Sequence, residues 1–171
     1  MSSTSSRPWP DLKFFVGLDW GHDAHHVAVF DARGDIKVAI SFEHDAAGWD
    51  RLRHKLHSLA GADLASVGVA IETRHGPAVE KLLELGCVVY PMNPKAASRY
   101  RERYAPSGTK DDMLDARSFG NALRTDGHRW RCMEPEAPLT QQIRMICRDE
   151  SCLIKQRTAL VCALREAMHE Y

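Results

Sequence analysis

Residues 13–31 read KFFVGLDWGHDAHHVAVFD, and they decide the fold. Lys13–Asp19 is a short apolar run rich in strand formers, the pattern of a buried strand. Trp20–His25 is a polar turn. His26–Asp31 alternates apolar and polar residues like a second strand. Ala32–Asp35 contains Arg-Gly-Asp and reads as a hairpin turn into a third strand, Ile36–Phe42. Two tight connections in succession require antiparallel neighbours, because parallel strands need a long crossover.

Outward from this meander the pattern changes period. Asp45 is placed to cap a helix in which Trp49, Leu52, Leu56 and Leu59 recur at helical spacing up to Gly61. Val67–Glu72 returns to strand. Gly76 and Pro77 open a second helix through Leu85, and Cys87–Tyr90 is a short strand ending at Pro91. Pro94 starts a third helix, Pro106–Gly108 interrupts it, and Asp111–Arg124 forms a fourth that ends near Gly127. His128–Pro138 is irregular, and Leu139–Tyr171 runs on without Gly or Pro. The order β-β-β-α-β-α-β-α predicts an α/β fold: a mixed five-stranded sheet with helices on both faces, followed by a long C-terminal helix. This is the element order of the ribonuclease H-like (RuvC-like) fold. Sugar kinases and actin-like ATPases share that core, so order alone selects no activity. The expected organisation is a flexible tail over 1–12, a ribonuclease H-like catalytic domain over 13–127, a linker over 128–138 and an amphipathic helix over 139–171.

Composition narrows the classes. The 171 residues are 44% hydrophobic and 27% charged, enough apolar material for a normal core. Lys+Arg (23) equals Asp+Glu (23), which excludes a protein held to nucleic acid by bulk charge. The balance is uneven along the chain: residues 1–90 carry an acidic excess and residues 91–171 a matching basic one. No apolar run approaches the ~18 residues of a membrane span. Met1–Pro10 lacks the apolar core of a secretory signal, so a cytoplasmic, membrane-free protein is expected. Five cysteines without a CxxC pair argue against a zinc cluster or a disulfide framework; Cys147, Cys152 and Cys162 read as core or interface residues.

Acidic residues at strand ends carry the chemistry. Asp19 closes the first strand and Glu72 the fourth; these strands are neighbours in the expected sheet, so both carboxylates emerge on one edge, where ligands bind in such folds. Each follows an apolar run, and a carboxylate there loses hydration unless a cation or donor compensates. TKDDMLDA adds Asp111, Asp112 and Asp115, and helical geometry allows either the 112/115 or the 111/115 pair to point inward. Converging carboxylates suit hard divalent cations, and two such ions can activate an attacking oxygen and stabilise the leaving oxygen of a phosphodiester. Just upstream, Lys95, Arg99, Arg101, Arg103 and Lys110 oppose only Glu102, with Tyr100 and Tyr104 interleaved: the composition of a patch that grips phosphates and offers rings to bases. His22, His25 and His26 flank Asp19 in a turn expected to be exposed, and His75 follows Glu72 by three residues; these could touch substrate. Trp20 and Trp49 read as packing residues, and Ser107 and Thr109 as caps or turn formers.

The stretches FVGLDWGHDAHHVAVFDARG, VAIETRHGP and NPKAASRYRERYAPSGTKDDMLDARSFGNAL resemble the N-terminal domain of DEDD transposases of the insertion sequence one-ten family, which includes the pilin-gene invertase and the bridge-RNA-guided recombinases. K-x-D-x-x-D-A is present as Lys110, Asp112, Asp115 and Ala116. The resemblance implies the tetrad Asp19, Glu72, Asp112 and Asp115, with Asp111 a bystander. It also implies Mg²⁺ (Mn²⁺ as a substitute), two ions, DNA as substrate and a structured guide RNA. RDESCLIKQRTALVCALREAMHEY is similar to the family's helical segment after the catalytic domain. Family members are longer and carry a C-terminal domain with a serine that attacks DNA; the chain is therefore expected to be an excised domain or a truncated transposase. Ile146, Leu153 and Leu160 at heptad spacing, beside Cys147, Ile154, Val161 and Met168, imply a coiled-coil arm and a homo-oligomer, dimer or tetramer. A Holliday-junction-type resolvase, a non-catalytic nucleic-acid-binding and dimerisation module and an actin-like kinase are the competing readings. The chain is too short for the two-lobed kinase cleft, and no P-loop or dinucleotide fingerprint occurs.

Overall fold

The computed structural model describes residues 9–21, 23–104, 111–134 and 138–169. Its strands are β1 (Phe14–Trp20), β2 (Ala24–Asp31), β3 (Ile36–Glu43), β4 (Val67–Ile71) and β5 (Val88–Pro91). Its helices are α1 (Ala46–Ala60), α2 (Pro77–Glu84), α3 (Pro94–Tyr104), α4 (Asp112–Asp126) and α5 (Pro138–His169). The strands form one sheet in the order β3-β2-β1-β4-β5. β1–β2 and β2–β3 are antiparallel, while β1–β4 and β4–β5 are parallel. This is the mixed five-stranded sheet of a ribonuclease H-like fold, with β1 at its centre.

Local chemistry explains the elements. Asp31 Oδ1 accepts from the backbone N–H groups of Arg33, Gly34 and Asp35 at 2.9–3.0 Å, and Gly34 takes φ 97° to close the β2–β3 turn. The Asp45 side chain caps α1 by accepting from Gly48 N at 2.6 Å.

Strand parity sorts the core into two layers. Val16, Leu18, Val27, Val29, Val69 and Ile71 pack with Trp49, Leu52 and Leu56 of α1 and with Val79 and Leu82 of α2. On the other face Phe15, Ala28, Phe30 and Ala70 pack with Ala97 of α3 and with Ala116, Phe119 and Leu123 of α4. Helices therefore cover both faces of the sheet. The α4 layer is unusually close to β1: a Cβ on Gly17 would stand 1.8 Å from Ala116 O and 2.4 Å from Gly120 N. Glycine at 17 lets the helix backbone rest on the strand backbone.

The N-terminal stretch departs from expectation. Trp9–Asp11 forms a 3-10 turn, Trp9 Nε1 donates to Leu123 O at 2.9 Å, and Leu12 is buried. Residues 9–12 thus pack onto the body instead of continuing a tail, because Trp9 supplies a large apolar ring and a donor that finds the end of α4. The chain divides after Met133 into two units. The second contains α5, whose described residues are exposed, including Leu139, Ile143, Ile146, Leu153, Leu160 and Leu164. Cys147, Cys152 and Cys162 are likewise exposed free thiols on this helix, so they are not core residues within the chain. No helix among the described residues is long and apolar enough to cross a membrane.

Candidate active site at the β1–β4 edge

The alternation that places Phe15 and Gly17 toward α4 carries on to Asp19, at the C-terminal end of β1. In β4, Gly68 faces Leu12 and Leu123, and Ala70 lies in the α4 layer. Two residues further, Glu72 lies on the same side. The parallel register ends at Leu18 opposite Ile71, so Asp19 and Glu72 are each one residue beyond the last pair. α4 enters this edge with its N-terminus. Asp111 is its cap, accepting from Met113 N at 3.0 Å. That role occupies Asp111 and leaves Asp112 and Asp115 as the acids of the first turn.

Burial, reinforced by the nearby Asp115 and Asp112 carboxylates, pushes the Asp19 carboxyl up to about 6; Arg101 and His26 oppose the shift. Arg101 reaches across from α3. Its guanidinium donates through one terminal nitrogen to Glu72 Oε2, and its Nε lies 3.1 Å from Asp115 Oδ2, off the hydrogen-bond line. The same group stacks on Phe119, 5.4 Å from the ring centroid. On the β2 side, His26 pairs with Asp19 across the sheet, shares a 2.8 Å hydrogen bond with Ser41 Oγ through Nδ1, and approaches Asp112 Oδ2 at 3.7 Å through Nε2.

The expected nucleic-acid-binding set separates into two groups. Lys95, Arg99 and Arg103 are exposed on α3. Arg101 turns inward to the carboxylates. Tyr100 is half-buried, donates from its hydroxyl to Asp126 Oδ2 at 3.1 Å and packs on Trp130. Tyr104 accepts from Asn121 Nδ2 through its hydroxyl. Lys110, Ser107, Thr109 and His22 lie outside the described residues. His75 is exposed in a Thr73-capped turn. Trp49 is a packing residue as expected, while Trp20 is more than a third exposed and packs its ring edge on His25 and His44.

His25 is a correction. It was expected in an exposed turn, yet it lies in β2 with no exposed surface. Its Nε2 is 2.7 Å from His44 Nδ1, and Trp20, Phe42 and Trp49 surround it. Parity could have revealed this, since residues 25, 27 and 29 share one face and Val27 and Val29 are core. Arg101 carried a comparable signal. Ala97, Tyr100, Arg101 and Tyr104 follow i, i+3, i+4, i+7 on α3, a single helical stripe anchored by buried Ala97.

The family model described as Transposase, covering the DEDD transposases of the IS110 type, matches residues 16–171. The chain belongs to this family. Curated relatives agree. A mini-circle transposase candidate for IS117 of Streptomyces coelicolor is 34% identical over 95% of this chain and 40% of its own length. The transposase candidate y4uE of Sinorhizobium fredii is 34% identical over 92% of this chain and 44% of its own. The chain thus spans less than half the length of the curated IS110-type relatives it matches. Among solved structures, T. thermophilus RuvC in complex with a Holliday junction substrate aligns with 70% of this chain and 99% of its own, at a TM-score of 0.49 and 11% identity.

Proposed function

We propose that this chain forms the metal-dependent catalytic part of an IS110-type transposase that cuts and rejoins DNA strands during transposition, guided by a structured RNA. What supports this reading is that Asp19, Glu72, Asp112 and Asp115 come to one sheet edge, with the two-thirds-buried Arg101 guanidinium engaging Glu72 and Asp115 and influencing Asp19. Among the described residues no three His, Cys, Asp or Glu side chains stand close enough to hold an ion as they are placed, and Arg101 bridges Glu72 and Asp115. The donor set nonetheless fits a hard divalent ion: four carboxylates, no sulfur, and an Asp19 carboxyl held up first by burial and then by the neighbouring Asp115 and Asp112 charges. Magnesium or manganese held there, as one ion or two, would supply the Lewis acidity for phosphodiester chemistry.

The chain's own residues then have definite tasks. Asp19, at the end of β1, Glu72, one residue beyond β4, and Asp112 and Asp115, on the first turn of α4, would hold the ions. His26, tied to Ser41, orients the Asp112 carboxylate. Lys95, Arg99 and Arg103 offer positive charge to a DNA backbone. Lys110, next to Asp111 in the sequence, is a further candidate phosphate contact in this reading. The domain division 13–127, 128–138 and 139–171 follows the same reading, with α5 pairing with a second copy through its Ile146, Leu153 and Leu160 stripe in a dimer or tetramer.

Thermal melting with and without Mn²⁺ tests the metal centre. Wild type should gain stability with Mn²⁺ and Asp19→Ala should not; an equal gain in both removes Asp19 from the ligand set. Mn²⁺-dependent nicking of DNA by wild type, absent in Glu72→Gln, distinguishes catalysis from binding alone.

A further inference from the structure

Arg101 has the attributes of an exchangeable ligand. It is mounted on α3 and joins groups from three other positions in the fold: Glu72 beyond β4, and Asp115 and Phe119 on α4. Its side chain is two-thirds buried, and its Nε is enclosed without a hydrogen bond although Asp115 Oδ2 is 3.1 Å away. A guanidinium is planar with five donors and matches one carboxylate bidentately. Here it is divided between two carboxylates and leaves an enclosed N–H unsatisfied, a compromise that costs free energy. One positive charge also under-compensates four neighbouring acids.

A divalent ion at this edge needs the Glu72 and Asp115 oxygens that Arg101 engages. The two cations cannot share them. Each oxygen that accepts an N–H has surrendered a lone pair, and like charges a few ångströms apart repel by several kcal/mol even at an effective dielectric of about 20. Arg101 must therefore leave before an ion is held. Its destination is set by its helix: Lys95, Arg99 and Arg103 already form an exposed basic surface on α3, and a phosphate drawn there offers two oxygens for the bidentate pairing that the divided arrangement lacks.

We propose that Arg101 is a positioning residue that serves as an internal counter-cation, holding Glu72 and Asp115 together in the metal-free protein and exchanging to a DNA phosphate when a divalent ion takes its place. This rests on the metal-centre reading above. Its consequence is coupling: DNA and metal assist each other's binding because each removes Arg101 from competition with the other. Without DNA, the guanidinium competes with the ion for these oxygens and weakens its loading.

The experiment is calorimetric titration of Mn²⁺ into wild type, Arg101→Gln, Arg101→Lys and Asp19→Asn, with metal-free melting of each. Arg101→Gln should bind Mn²⁺ about tenfold tighter than wild type, from relief of charge repulsion, while melting lower without metal. Arg101→Lys keeps the charge and should bind close to wild type. A purely structural role predicts the opposite sign: the site splays and Arg101→Gln binds Mn²⁺ more weakly, which overturns the proposal. Equal affinity in wild type and Arg101→Gln, with Asp19→Asn inactive in binding, overturns it while leaving the metal-centre reading intact. No Mn²⁺ uptake by any variant overturns both. Should Arg101→Gln not fold, the wild-type Arg101 Nε–H resonance, assigned by its loss in Arg101→Lys, supplies the readout. It should move toward solvent-exchanging behaviour on addition of Mg²⁺, and an unmoved signal at saturating Mg²⁺ overturns the proposal.

Discussion

Replacing Gly17 with alanine perturbs the contact that sets the distance between the two halves of the acidic site. The added methyl would sit 1.8 Å from Ala116 O, 2.4 Å from Gly120 N and 2.9 Å from Ala116 C, where ordinary van der Waals contact begins at 3.4 Å. All three atoms are helix backbone, so no rotamer change relieves the clash. α4 must retreat from β1 by about 1.5 Å, the shortfall in the closest contact. Overpacking a core typically costs about 1–3 kcal/mol. Here the retreat also loosens Ala116, Phe119, Ala122 and Leu123, which are buried between α4 and the sheet. A gap of half to one ångström already forfeits about a quarter to a half of a dispersion contact. The expected loss is therefore at least about 3 kcal/mol, or about 10 °C or more in melting temperature for a domain of this size. Urea denaturation followed by circular dichroism measures it, and Mn²⁺ titration should show weakened binding, because Asp19 moves away from Asp112 and Asp115. Gly120→Ala meets the Phe30 side chain at 2.8 Å and Gly17 N at 2.9 Å and should cost less. A Gly17→Ala protein with wild-type stability and wild-type Mn²⁺ affinity would refute the close-contact argument.

His25 is held neutral by burial, with its pKa lowered from 6.5 to about 4, so its contribution is intact above pH 6.5 and is lost as pH falls toward 4. Denaturation at pH 7 and 4.5 should show about 2 kcal/mol less pH-dependent loss in His25→Phe than in wild type. The opposite sign holds for Asp19. Its pKa is raised from 3.8 to about 6, so its favourable contribution is complete below pH 3.8 and is gone once pH rises past about 6. Metal-free Asp19→Asn should be more stable than wild type at pH 7.5 by about 1 kcal/mol after allowance for solvent screening, and equal to it near pH 3.5; a destabilised variant at pH 7.5 would contradict this. On α3, Arg99→Ala and Lys95→Ala should weaken DNA binding and flatten its salt dependence, whereas Tyr100→Phe should leave DNA binding unchanged and cost about 1 kcal/mol of stability from the lost Asp126 hydrogen bond; fluorescence anisotropy across a salt series separates them.

The sheet was legible because its signals are local. KFFVGLD is too short and too apolar for a surface helix, Arg-Gly-Asp closes a tight turn, and Asp45 and Gly61 bracket an amphipathic helix. Asp19 and Glu72 could be placed on one edge because adjacent strands share direction and parity. The choice between Asp111 and Asp112 was not readable from helix geometry, since both spacings to Asp115 place two acids on one face. The family motif assigned Asp112, and in the structure Asp111 is the cap, accepting from Met113 N. The inward turn of Arg101 was hidden for a different reason. A run of four charges and a ring, Arg99–Arg103, looks like a solvated surface until the helix phase is anchored by Ala97, and the acids that attract the guanidinium come from distant parts of the chain. Trp9 was hidden by its Ser- and Pro-rich company, which reads as tail, while its acceptor, Leu123 O, lies at the far end of α4.

The exposed helix α5 has a geometric consequence of its own. At 1.5 Å per residue, its 32 residues hold their two ends about 48 Å apart, roughly the span of 14 base pairs of duplex DNA. Inserting or deleting whole turns within it would change that length without touching a single residue of the acidic edge.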